Sequence, residues 1–596
     1  MRRSKRFSAQ EALQRMFGNE QALSHDEDED ADRENYDHVG DSERRNYGEE
    51  SDDFAFGASG PSGDQEPPVE RTDGDIPFFE DPSDDDEEDE SDEEVSYSNN
   101  LFIANDIAYT EQTFPARNRD RNILRERSAI SAHPRRPIES FLLFITEDML
   151  RTIQRHTNRK VHDVRCTVRQ IHSYMSLFTY DEIKACLGIV LMAGVHRDNF
   201  TDLQDLWDPI NGRPFFRAVM SLLRFRFFLR VVRFDNYRTR PMRLNQGDRL
   251  AAISEIWNQF NHQLRQFYRP KEILTVDEQL LGYRGKIPGR TYIPSKPRKY
   301  GLKIFWICEA DSGYALKASI YTGRINNEVH RDLAKHVVLD LCEQFYGSGR
   351  GIVTDNFFTS HSLATALLEK HLTLLGTIRS HRKEIPEILR DKKRPVESSK
   401  FLFDHENKIV IVSYMAKKNK NVILLSSSHS DARTLPHHAN KPELVLDYNF
   451  GKKGVDTMDE AVEEFTCRRK TVRWPLLLFF NMLDIAAFDA YILMKADGFT
   501  SSRKKFLSNL AFELAEGYAK MRFEKNPYLS KNIKNAASLL GLLPERPLQS
   551  CDSSSNVGRC ENCGRTCRSQ CNECGVHVCP SHRQLVKKCL CSVCAI

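Results

Sequence analysis

Long apolar runs are missing from this 596-residue sequence. The amino terminus, MRRSKRFSAQEALQRMF, lacks the continuous apolar stretch of a secretory signal. No run of about 18 uncharged apolar residues occurs, so we expect no membrane span and no membrane partner. The nearest candidate, 475–494, is interrupted by Asn481, Asp484 and Asp489, and it is predicted to be a buried helix.

Cysteine is scarce outside the carboxyl-terminal tail, because nine of the 15 cysteines lie between Cys560 and Cys594. Pairing into C-x-x-C units favours zinc in a reducing compartment over a disulfide framework. Four ligand pairs would hold two structural zinc ions per chain. The predicted ligands are Cys560, Cys563, Cys571, Cys574, Cys579, His582, Cys591 and Cys594.

The preferred arrangement of this zinc domain (557–596) is an interleaved cross-brace, as in RING and PHD-type modules. The first and third pairs would hold one zinc ion, and the second and fourth pairs the other. Cys567 and Cys589 are left over, and Cys589 could replace Cys591 as a ligand. So short a tail has too little apolar content to fold without metal.

Large aliphatic residues are few in residues 1–130, which are predicted to form a disordered acidic tail. Between Asp26 and Glu94 there are 31 Asp and Glu against 4 Lys and Arg. From Val95 onward the balance reverses, with 77 Lys and Arg against 52 Asp and Glu, an excess of 25. The basic body is expected to bind polyanions, and the tail either moderates that binding or only adds solubility.

Three separated acidic positions carry the predicted chemistry. Asp277 and Glu278 follow a short apolar run, 273–276, and Asp355 ends a second run that begins at Gly351. Asp456 and Asp459 are spaced i, i+3, which places both on one face of a helix start. One such carboxylate alone could be a salt-bridged strand end, but three brought together would hold two divalent cations.

The element pattern predicts several units. Residues 131–271 are predicted to be helical, with a capping box at Thr179 and Glu182. Residues 272–380 have the order of three strands, then helix, strand, helix and strand. Short β pairs at 381–442 indicate an insertion, after which the α/β unit resumes at 443–462. Helices follow at 463–540, and a linker at 541–556 precedes the zinc domain.

Two basic segments carry open alternatives. The arginines between Phe215 and Phe234 could face DNA or lie on the wet side of a packed helix. The motif TCRRKTVRWP (466–475) could bind phosphate through Arg469, Lys470 and Arg473, with Trp474 stacking on an unpaired base. The alternative is a buried Trp474 that opens a helix starting at Pro475.

Seven stretches resemble the piggyBac transposases. They are TVDEQLLGYRGK, IPSKPRKYGLKI, TDNFFTS, GTIRSHRKEIPE, YNFGKKGVDTMDE, CRRKTVRWP and the zinc tail. Their order and spacing also match, and together they cover roughly 137–596. The acidic tail matches in character only.

The resemblance implies a multidomain α+β protein with an RNase H-like α/β catalytic core of the DDE type. An inserted β-rich domain would interrupt this core, and a discontinuous helical domain for dimerisation and DNA binding would flank it. By motif position the catalytic acids are Asp277, Asp355 and Asp456, which would bind two Mg²⁺, with Mn²⁺ as a substitute. Asp459 is a fourth conspicuous carboxylate.

The resemblance also implies cut-and-paste transposition in the nucleus by a homodimer. Partners would be double-stranded DNA at transposon ends and at TTAA targets. A nick would free a 3′ hydroxyl that attacks the opposite strand to form a hairpin, which is then opened and joined to the target. Further DNA contacts are expected at Lys299, Arg324, Arg379, Arg382 and Lys383, unless these are solvated surface residues.

Two other functions remain open at this stage. Host genomes keep piggyBac-derived genes that have lost cutting, although all the expected acids are present here. A chromatin or protein-binding adaptor, or a RING-type ligase, would act through the zinc tail. Its lone apolar residues, Val576, Val578, Leu585 and Val586, are few for a partner groove, so we rank this class lower.

Overall fold

One large mixed sheet with helices on both faces organises the protein, as seen in a computed structural model. The structure describes residues 101–114, 124–294, 298–323, 332–526, 529–543, 558–569 and 576–582. The strands are β1 (Leu101–Ala104), β2 (Ile107–Thr110), β3 (Ala129–Ile130), β4 (Tyr268–Arg269), β5 (Ile273–Gly282), β6 (Thr291–Tyr292), β7 (Tyr300–Glu309), β8 (Ala315–Ile320), β9 (Gly351–Thr354), β10 (Thr373–Thr377), β11 (Ser399–Asp404), β12 (Ile409–Lys417), β13 (Lys420–Ser426), β14 (Thr434–Leu435), β15 (Lys441–Pro442), β16 (Gly558–Arg559) and β17 (Thr566–Cys567).

Most helices of the described residues lie before β5 or after β13 in the chain, and two lie between β8 and β10. The helices are α1 (Pro137–Phe144), α2 (Glu147–Thr167), α3 (Tyr180–Val195), α4 (Leu203–Trp207), α5 (Pro214–Val219), α6 (Leu222–Val231), α7 (Arg240–Asn245), α8 (Ser254–Leu264), α9 (Leu333–Cys342), α10 (His361–Glu369), α11 (Glu443–Gly451), α12 (Gly454–Glu464), α13 (Trp474–Ala496), α14 (Arg503–Lys525) and α15 (Lys531–Leu539).

The centre of the sheet has the strand order β7-β5-β9-β10, with β8 paired to β7. Strands β5, β9 and β10 are parallel, and β7 and β8 run antiparallel. The predicted succession of three strands, helix, strand, helix and strand is confirmed, with the two-residue β6 as an addition. Strand β7 is buried along most of its length because helices α9 and α12 pack on it.

Strand β5 is longer than the sequence suggests. The predicted strand ends as the acids begin, whereas β5 continues to Gly282 and pairs with β7 throughout. Asp277 therefore lies in the middle of a strand and not at its end. The long antiparallel partner supplies the hydrogen bonds that keep the backbone extended past the two acids.

The β pairs predicted as an insertion form β11, β12 and β13, and they continue the central sheet. Strand β13 pairs antiparallel with β10, so one sheet runs through both units. The predicted tail also contributes to this sheet, which corrects its boundary at residue 130. Strands β1 and β2 form a hairpin that joins the sheet where Thr110 lies opposite Phe403. Residues 1–100 and 115–123 lie outside the described residues.

The helices before and after the sheet pack against one another, so the helical part of the protein is discontinuous in sequence. Helix α3 packs along α14, α1 against α13, and α5 against α15. Gly188 permits the first contact, because a Cβ there would lie 2.5 Å from the carbonyl oxygen of Ala511. The predicted capping box of α3 is confirmed, since Glu182 N donates to Thr179 Oγ1 at 3.2 Å.

The helix predicted over 138–158 is divided into α1 and α2. Thr146 stands between them as the N-cap of α2, and its hydroxyl accepts a hydrogen bond from Met149 N at 3.3 Å. An extended N-cap residue ends one helix and starts the next. The apolar spacing continues across the break, which is why periodicity alone does not reveal it.

Helix α13 is the one helix of the described residues that is long and apolar enough to cross a membrane. In its most apolar 18-residue window, 94% of the residues are buried inside the protein. This burial against neighbouring helices accounts for its composition, as predicted. Its polar residues Asn481, Asp484 and Asp489 are buried with it and make internal hydrogen bonds.

Candidate active site and cysteine cluster

Two neighbouring parallel strands bring Asp277 and Asp355 together. In the register of β5 and β9, Val276 lies opposite Thr354, and each acid is the next residue of its chain. Carboxylate oxygens of Asp277, Glu278 and Asp355 all lie within 4.8 Å of one another. The arrangement offers oxygen ligands from two chain segments to a hard divalent cation.

Glu278 is the member of this cluster that the sequence did not single out. Successive residues of a strand point to opposite faces, so alternation argues against Asp277 and Glu278 sharing a site. The feature of the sequence that could have identified Glu278 is its position directly after Asp277. The Glu278 Oε2 atom is buried without a hydrogen bond, and Lys303 Nζ lies 3.8 Å from it.

The environment of the acidic cluster disfavours the ionised form of its carboxyl groups. Burial, followed by the charges of Asp355, Glu278 and Asp456, raises the pKa of Asp277 well above its usual range. Burial and then Glu278 raise the pKa of Asp355 to about 6, against hydrogen bonds from Phe357 N and Phe358 N that lower it. Crowded carboxylates of this kind gain from a bound cation, which removes the repulsion.

Asp456 lies near the cluster but outside the 4.8 Å group. It is the third residue of α12 and is exposed, and its charge contributes to the raised pKa of Asp277. Thr275 attaches this helix to β5, because its hydroxyl donates to Gly451 O at 2.5 Å and accepts from Gly454 N at 3.2 Å. Asp456 is therefore positioned to complete the site from the helix side.

Asp459 makes a different contact from the one expected of a catalytic acid. Its Oδ1 accepts a hydrogen bond of 2.7 Å from Gln279 Nε2. Gln279 Oε1 in turn accepts from Trp306 Nε1 at 3.2 Å and from Asn481 Nδ2 at 2.9 Å. Among the described residues, Asp459 lies outside the group of carboxylates whose oxygens are within 4.8 Å of one another, and its assignment as a catalytic acid stays a prediction.

Cationic and aromatic side chains border the acids. Lys303 Nζ lies over the rings of Phe305 and Phe357, at 5.0 and 4.5 Å from their centroids. Burial raises the pKa of Tyr448 above its usual range, and the charges of Asp355, Asp277 and Asp456 also raise it, while its hydroxyl lies 3.3 Å from Thr377 Oγ1. Neither Lys303 nor Tyr448 was predicted from the sequence.

The predicted DNA contacts after β10 lie close to the cluster. Arg382 donates from Nη2 to Thr359 O at 3.5 Å, and Thr359 N donates to Asp355 O at 3.1 Å. Arg379 and Lys383, its neighbours in the chain, are exposed, and Lys299 before β7 is exposed as well. Arg324 lies outside the described residues. Arg382 is thus linked through Thr359 to the segment that carries Asp355.

The side chains at 466–475 that are predicted to contact DNA make most of their observed contacts within the protein. Arg469 donates to Thr201 O at 2.6 Å, and Arg473 donates to Leu229 O at 3.0 Å, so both guanidinium groups satisfy backbone carbonyls. Trp474 opens α13 and packs partly buried against the core. Arg469, Arg473 and Trp474 are half-buried and Lys470 is exposed, and their predicted DNA contacts stay a prediction.

The arginines of 217–233 also serve the fold. Arg224 is buried in an ion pair with Glu182 at 2.7 Å and lies 3.5 Å above the ring of Phe178. Arg217 donates to Gly212 O at 3.0 Å, and Arg233 to Val232 O at 2.9 Å. A buried guanidinium needs such partners, which explains arginine in an otherwise apolar segment.

The structure brings together one of the two predicted sets of zinc ligands. Cys560, Cys563, Cys579 and His582 offer ligand atoms within 4.8 Å of one another. Cys563 Sγ lies 3.6 Å from Cys579 Sγ, close to the ~3.8 Å between two sulfurs on a tetrahedral zinc ion. This is the pairing of the first and third pairs in the interleaved arrangement.

Hydrogen bonding prepares this cluster for a cation. Backbone hydrogen bonds, first from Cys579, lower the pKa of the Cys560 thiol to about 6. The thiolate is the form that binds metal. Cys571, Cys574, Cys591 and Cys594, together with the alternative Cys589, lie outside the described residues. Cys567 is buried in the β16–β17 hairpin.

The fold and the acidic cluster define a class of protein. A mixed sheet with helices on both faces carries adjacent carboxylates that can hold divalent cations, and arginine and lysine lie beside them. A family model described as Transposase IS4 matches residues 136–491. The chain belongs to this transposase family.

A solved structure specifies the family further. The chain is 35% identical to a piggyBac transposase in a synaptic complex with hairpin DNA, at a TM-score of 0.67. The match covers 77% of this chain and 97% of the solved chain. The chain therefore belongs to the piggyBac family of DDE-type transposases.

Two human proteins are more distant relatives. The chain is 23% identical over 379 residues to PiggyBac transposable element-derived protein 2, and 22% identical over 377 residues to PiggyBac transposable element-derived protein 3. These matches cover 60% and 59% of this chain. The chain spans 61% and 60% of the length of these relatives.

Proposed function

We propose that this protein is an active DNA transposase that cuts and joins DNA by two-metal phosphodiester chemistry. The observation that carries the proposal is the grouping of Asp277, Glu278 and Asp355 within 4.8 Å in a chain of this family. The strand order β8-β7-β5-β9-β10, with the third acid on the following helix, supports an RNase H-like core.

The residues of the cluster fit divalent cations. Their oxygens are hard ligands, Glu278 Oε2 is buried without a hydrogen bond, and burial, followed by neighbouring carboxylates, raises the pKa of Asp277 and Asp355. Asp277, Glu278, Asp355 and Asp456 would hold the metal, with Mg²⁺ as the expected ion and Mn²⁺ as a substitute. Bound metal would activate the attacking oxygen and stabilise the leaving 3′ oxygen.

The remaining residues of the site orient the DNA. Arg379, Arg382 and Lys383 follow β10, and Arg382 donates a hydrogen bond to Thr359 in the segment after Asp355, so these side chains would neutralise phosphates next to the reacting one. Lys303 is held by Glu278 and two aromatic rings, which keeps its charge at the edge of the cluster. Gln279 keeps the helix of Asp456 at a set distance from the strand of Asp277.

The finer steps are proposed on the resemblance. The protein would excise DNA at TTAA sites through hairpin ends, act as a homodimer and work in the nucleus. The cysteine-rich tail would hold two zinc ions and bind the transposon end, with Arg559, Arg565 and Arg568 among its phosphate contacts. These arginines lie in the same compact hairpin region as Cys560 and Cys567.

A donor-excision experiment tests this function. A plasmid carrying the genomic DNA on both sides of the reading frame is incubated with full-length protein, with and without added Mg²⁺. We expect nicked and hairpin products that require the divalent cation and both flanks. Terminal inverted repeats bordered by TTAA in those flanks would identify a mobile element.

The alternative is a piggyBac-derived DNA-binding protein that does not cut. The names of the human relatives, which describe them as transposable element-derived, motivate it. The same experiment separates the two functions, because such a protein binds the flanking DNA and yields no cut product with either Mg²⁺ or Mn²⁺. The carboxylates of Asp277, Glu278 and Asp355 lie close enough together to bind a metal ion, which favours the active enzyme.

A further inference from the structure

Two tyrosines stand exposed on one edge of the large sheet. Tyr292 on β6 lies directly opposite Tyr300 on β7, and their side chains are 50% and 44% exposed. The ring centroids are 4.7 Å apart and the ring planes are tilted by 42°. Large aromatic rings this accessible are unusual on a free surface, because their burial is favourable by ~2 kcal/mol or more each.

The chain around these rings is strongly basic. Residues 284–300 contain six Lys and Arg and no Asp or Glu. The guanidinium of Arg290 lies over the ring of Tyr300 at 5.8 Å and donates to Arg284 O at 3.0 Å. Arg298 crosses over Gly282, where a Cβ would collide with it, and pairs with Glu463 at 2.8 Å. Aromatic rings set among cations match unpaired nucleic acid, whose bases stack and whose phosphates are anionic.

The same strands connect the tyrosines to the acidic cluster. Asp277 lies opposite Trp306, and Gly282 lies opposite Gly301, the residue next to Tyr300. Five or six residues of β-strand separate Tyr300 from the position of Asp277, which corresponds to about 17–20 Å. This distance equals about five base steps of a B-form duplex. The tyrosines therefore lie within the length of a few nucleotides from the acids.

We propose that Tyr292 and Tyr300 form a stacking platform for unpaired bases of the DNA strand next to the reacting phosphate. This inference rests on the proposed function, because it assumes that DNA lies at the acidic cluster. The platform takes single-stranded DNA of any sequence, since every base has a face to stack. Neighbouring Arg290 and Lys299 supply the phosphate contacts. A protein partner would need an acidic surface to match this one, and such binding is an outcome of the test.

The test compares two probes with the full-length protein in the absence of added Mg²⁺. One probe is a blunt duplex, and the other is the same duplex with a single-stranded extension of about six thymidines that includes one 2-aminopurine. Binding is followed by anisotropy over a salt series. The variants are Tyr292→Leu and Tyr300→Leu, with Tyr292→Phe and Tyr300→Phe as conservative partners. Tyr346→Leu is the matched control, because Tyr346 is 37% exposed and has Lys370 over its ring at 5.6 Å.

The parent protein is expected to bind the extended probe more tightly and to quench its 2-aminopurine. Each Leu variant should lose about tenfold in affinity for the extended probe, should bind the blunt duplex as the parent does, and should restore the fluorescence. The dependence of affinity on salt should stay the same, because stacking releases no counterions. The Phe variants and Tyr346→Leu should behave as the parent.

Equal losses on both probes, or unchanged binding and quenching in the Leu variants, would overturn the platform. Phe variants as weak as the Leu variants would also overturn it, because they would assign the effect to the hydroxyl groups. Binding of neither probe by the parent protein contradicts the proposed function itself. The parent measurement thus separates failure of the function from failure of the platform. A platform that binds an acidic protein and leaves DNA binding unaffected also contradicts the proposal.

Discussion

Gln279 donates a hydrogen bond of 2.7 Å to Asp459 and thereby joins the strand of Asp277 to the helix of Asp456. The other side of the same amide is filled by Trp306 and Asn481. Every hydrogen bond of this group lies inside the protein, between elements that belong to different parts of the chain. The relative placement of the acids is therefore held by polar packing that needs no metal.

This contact predicts that Asp459 acts as a positioning residue. Asp459→Asn retains an oxygen for Gln279 and should keep most of the strand cleavage. Asp459→Leu leaves Gln279 Nε2 with only the 3.4 Å contact to Asn481 Oδ1, so it should lower the free energy of unfolding by about 1–3 kcal/mol and reduce cleavage. Denaturant unfolding and cleavage rates are measured on both variants. If Asp459→Asn abolishes cleavage as completely as Asp277→Asn does, Asp459 is a metal ligand instead.

The sequence predicted the core strands well because their apolar runs are short, β-branched and bounded by glycine or polar residues. Asp277 and Asp355 were found for the same reason, since an acid after a buried run is conspicuous. Glu278 was not assigned as a metal ligand because strand alternation would place it on the opposite face from Asp277. In the folded protein its carboxylate nevertheless lies within 4.8 Å of the other two.

Long-range partners could not be predicted from the sequence. Arg469 and Arg473 donate hydrogen bonds to the carbonyls of Thr201 and Leu229, which are more than 200 residues away in the chain. No local pattern indicates that β13, within the predicted insertion, pairs with β10 of the central sheet. The cysteine spacing, by contrast, encodes its geometry locally, and the first and third pairs meet as the interleaved arrangement predicts.

The buried Asp484 predicts a pH dependence of stability. Burial raises its pKa to about 7, although Thr466 and Cys467 donate hydrogen bonds that lower it. The folded state thus holds a proton that the unfolded state loses near pH 4. Stability should fall as pH rises from about 4 to about 7, by up to ~1.4 kcal/mol per pH unit, and should level off above that.

Asp484→Asn provides the comparison, because it cannot ionise. The melting temperatures of the variant and the parent protein are compared at several pH values between 5 and 8. The melting temperature of the variant should rise relative to that of the parent as pH rises, and the difference should be constant above about pH 7. A difference that does not change with pH would show that Asp484 is ionised in the folded protein throughout this range.

The cysteine cluster predicts a separable zinc unit. Cys579→Ser removes a ligand from the group of Cys560, Cys563 and His582, so zinc content should fall from about two per chain towards one. Binding to the transposon end should weaken, whereas the thermal transition of the catalytic body should barely move. Cys567→Ser is the matched control, since Cys567 is buried in the same hairpin but lies outside the ligand group.

Zinc content is measured by elemental analysis, and DNA binding is measured with the DNA that flanks the reading frame. If Cys579→Ser loses zinc and still discriminates the flanking DNA from unrelated duplex, the zinc unit is not the end reader. If Cys567→Ser loses as much zinc as Cys579→Ser, the assignment of the four ligands is wrong.

The measurement that tests the transposase account most directly is strand cleavage and DNA binding in the same reaction. The parent protein is compared with Asp277→Asn and Asp355→Asn on the flanking DNA, with Mg²⁺ present. Both variants should bind DNA as the parent does, because binding depends on Lys and Arg. Without metal, their melting temperatures should be no lower than that of the parent, because each substitution removes a repelling charge. Neither should produce a cut strand. Cleavage by either variant at the rate of the parent protein would contradict the assignment of these carboxylates as the catalytic metal site.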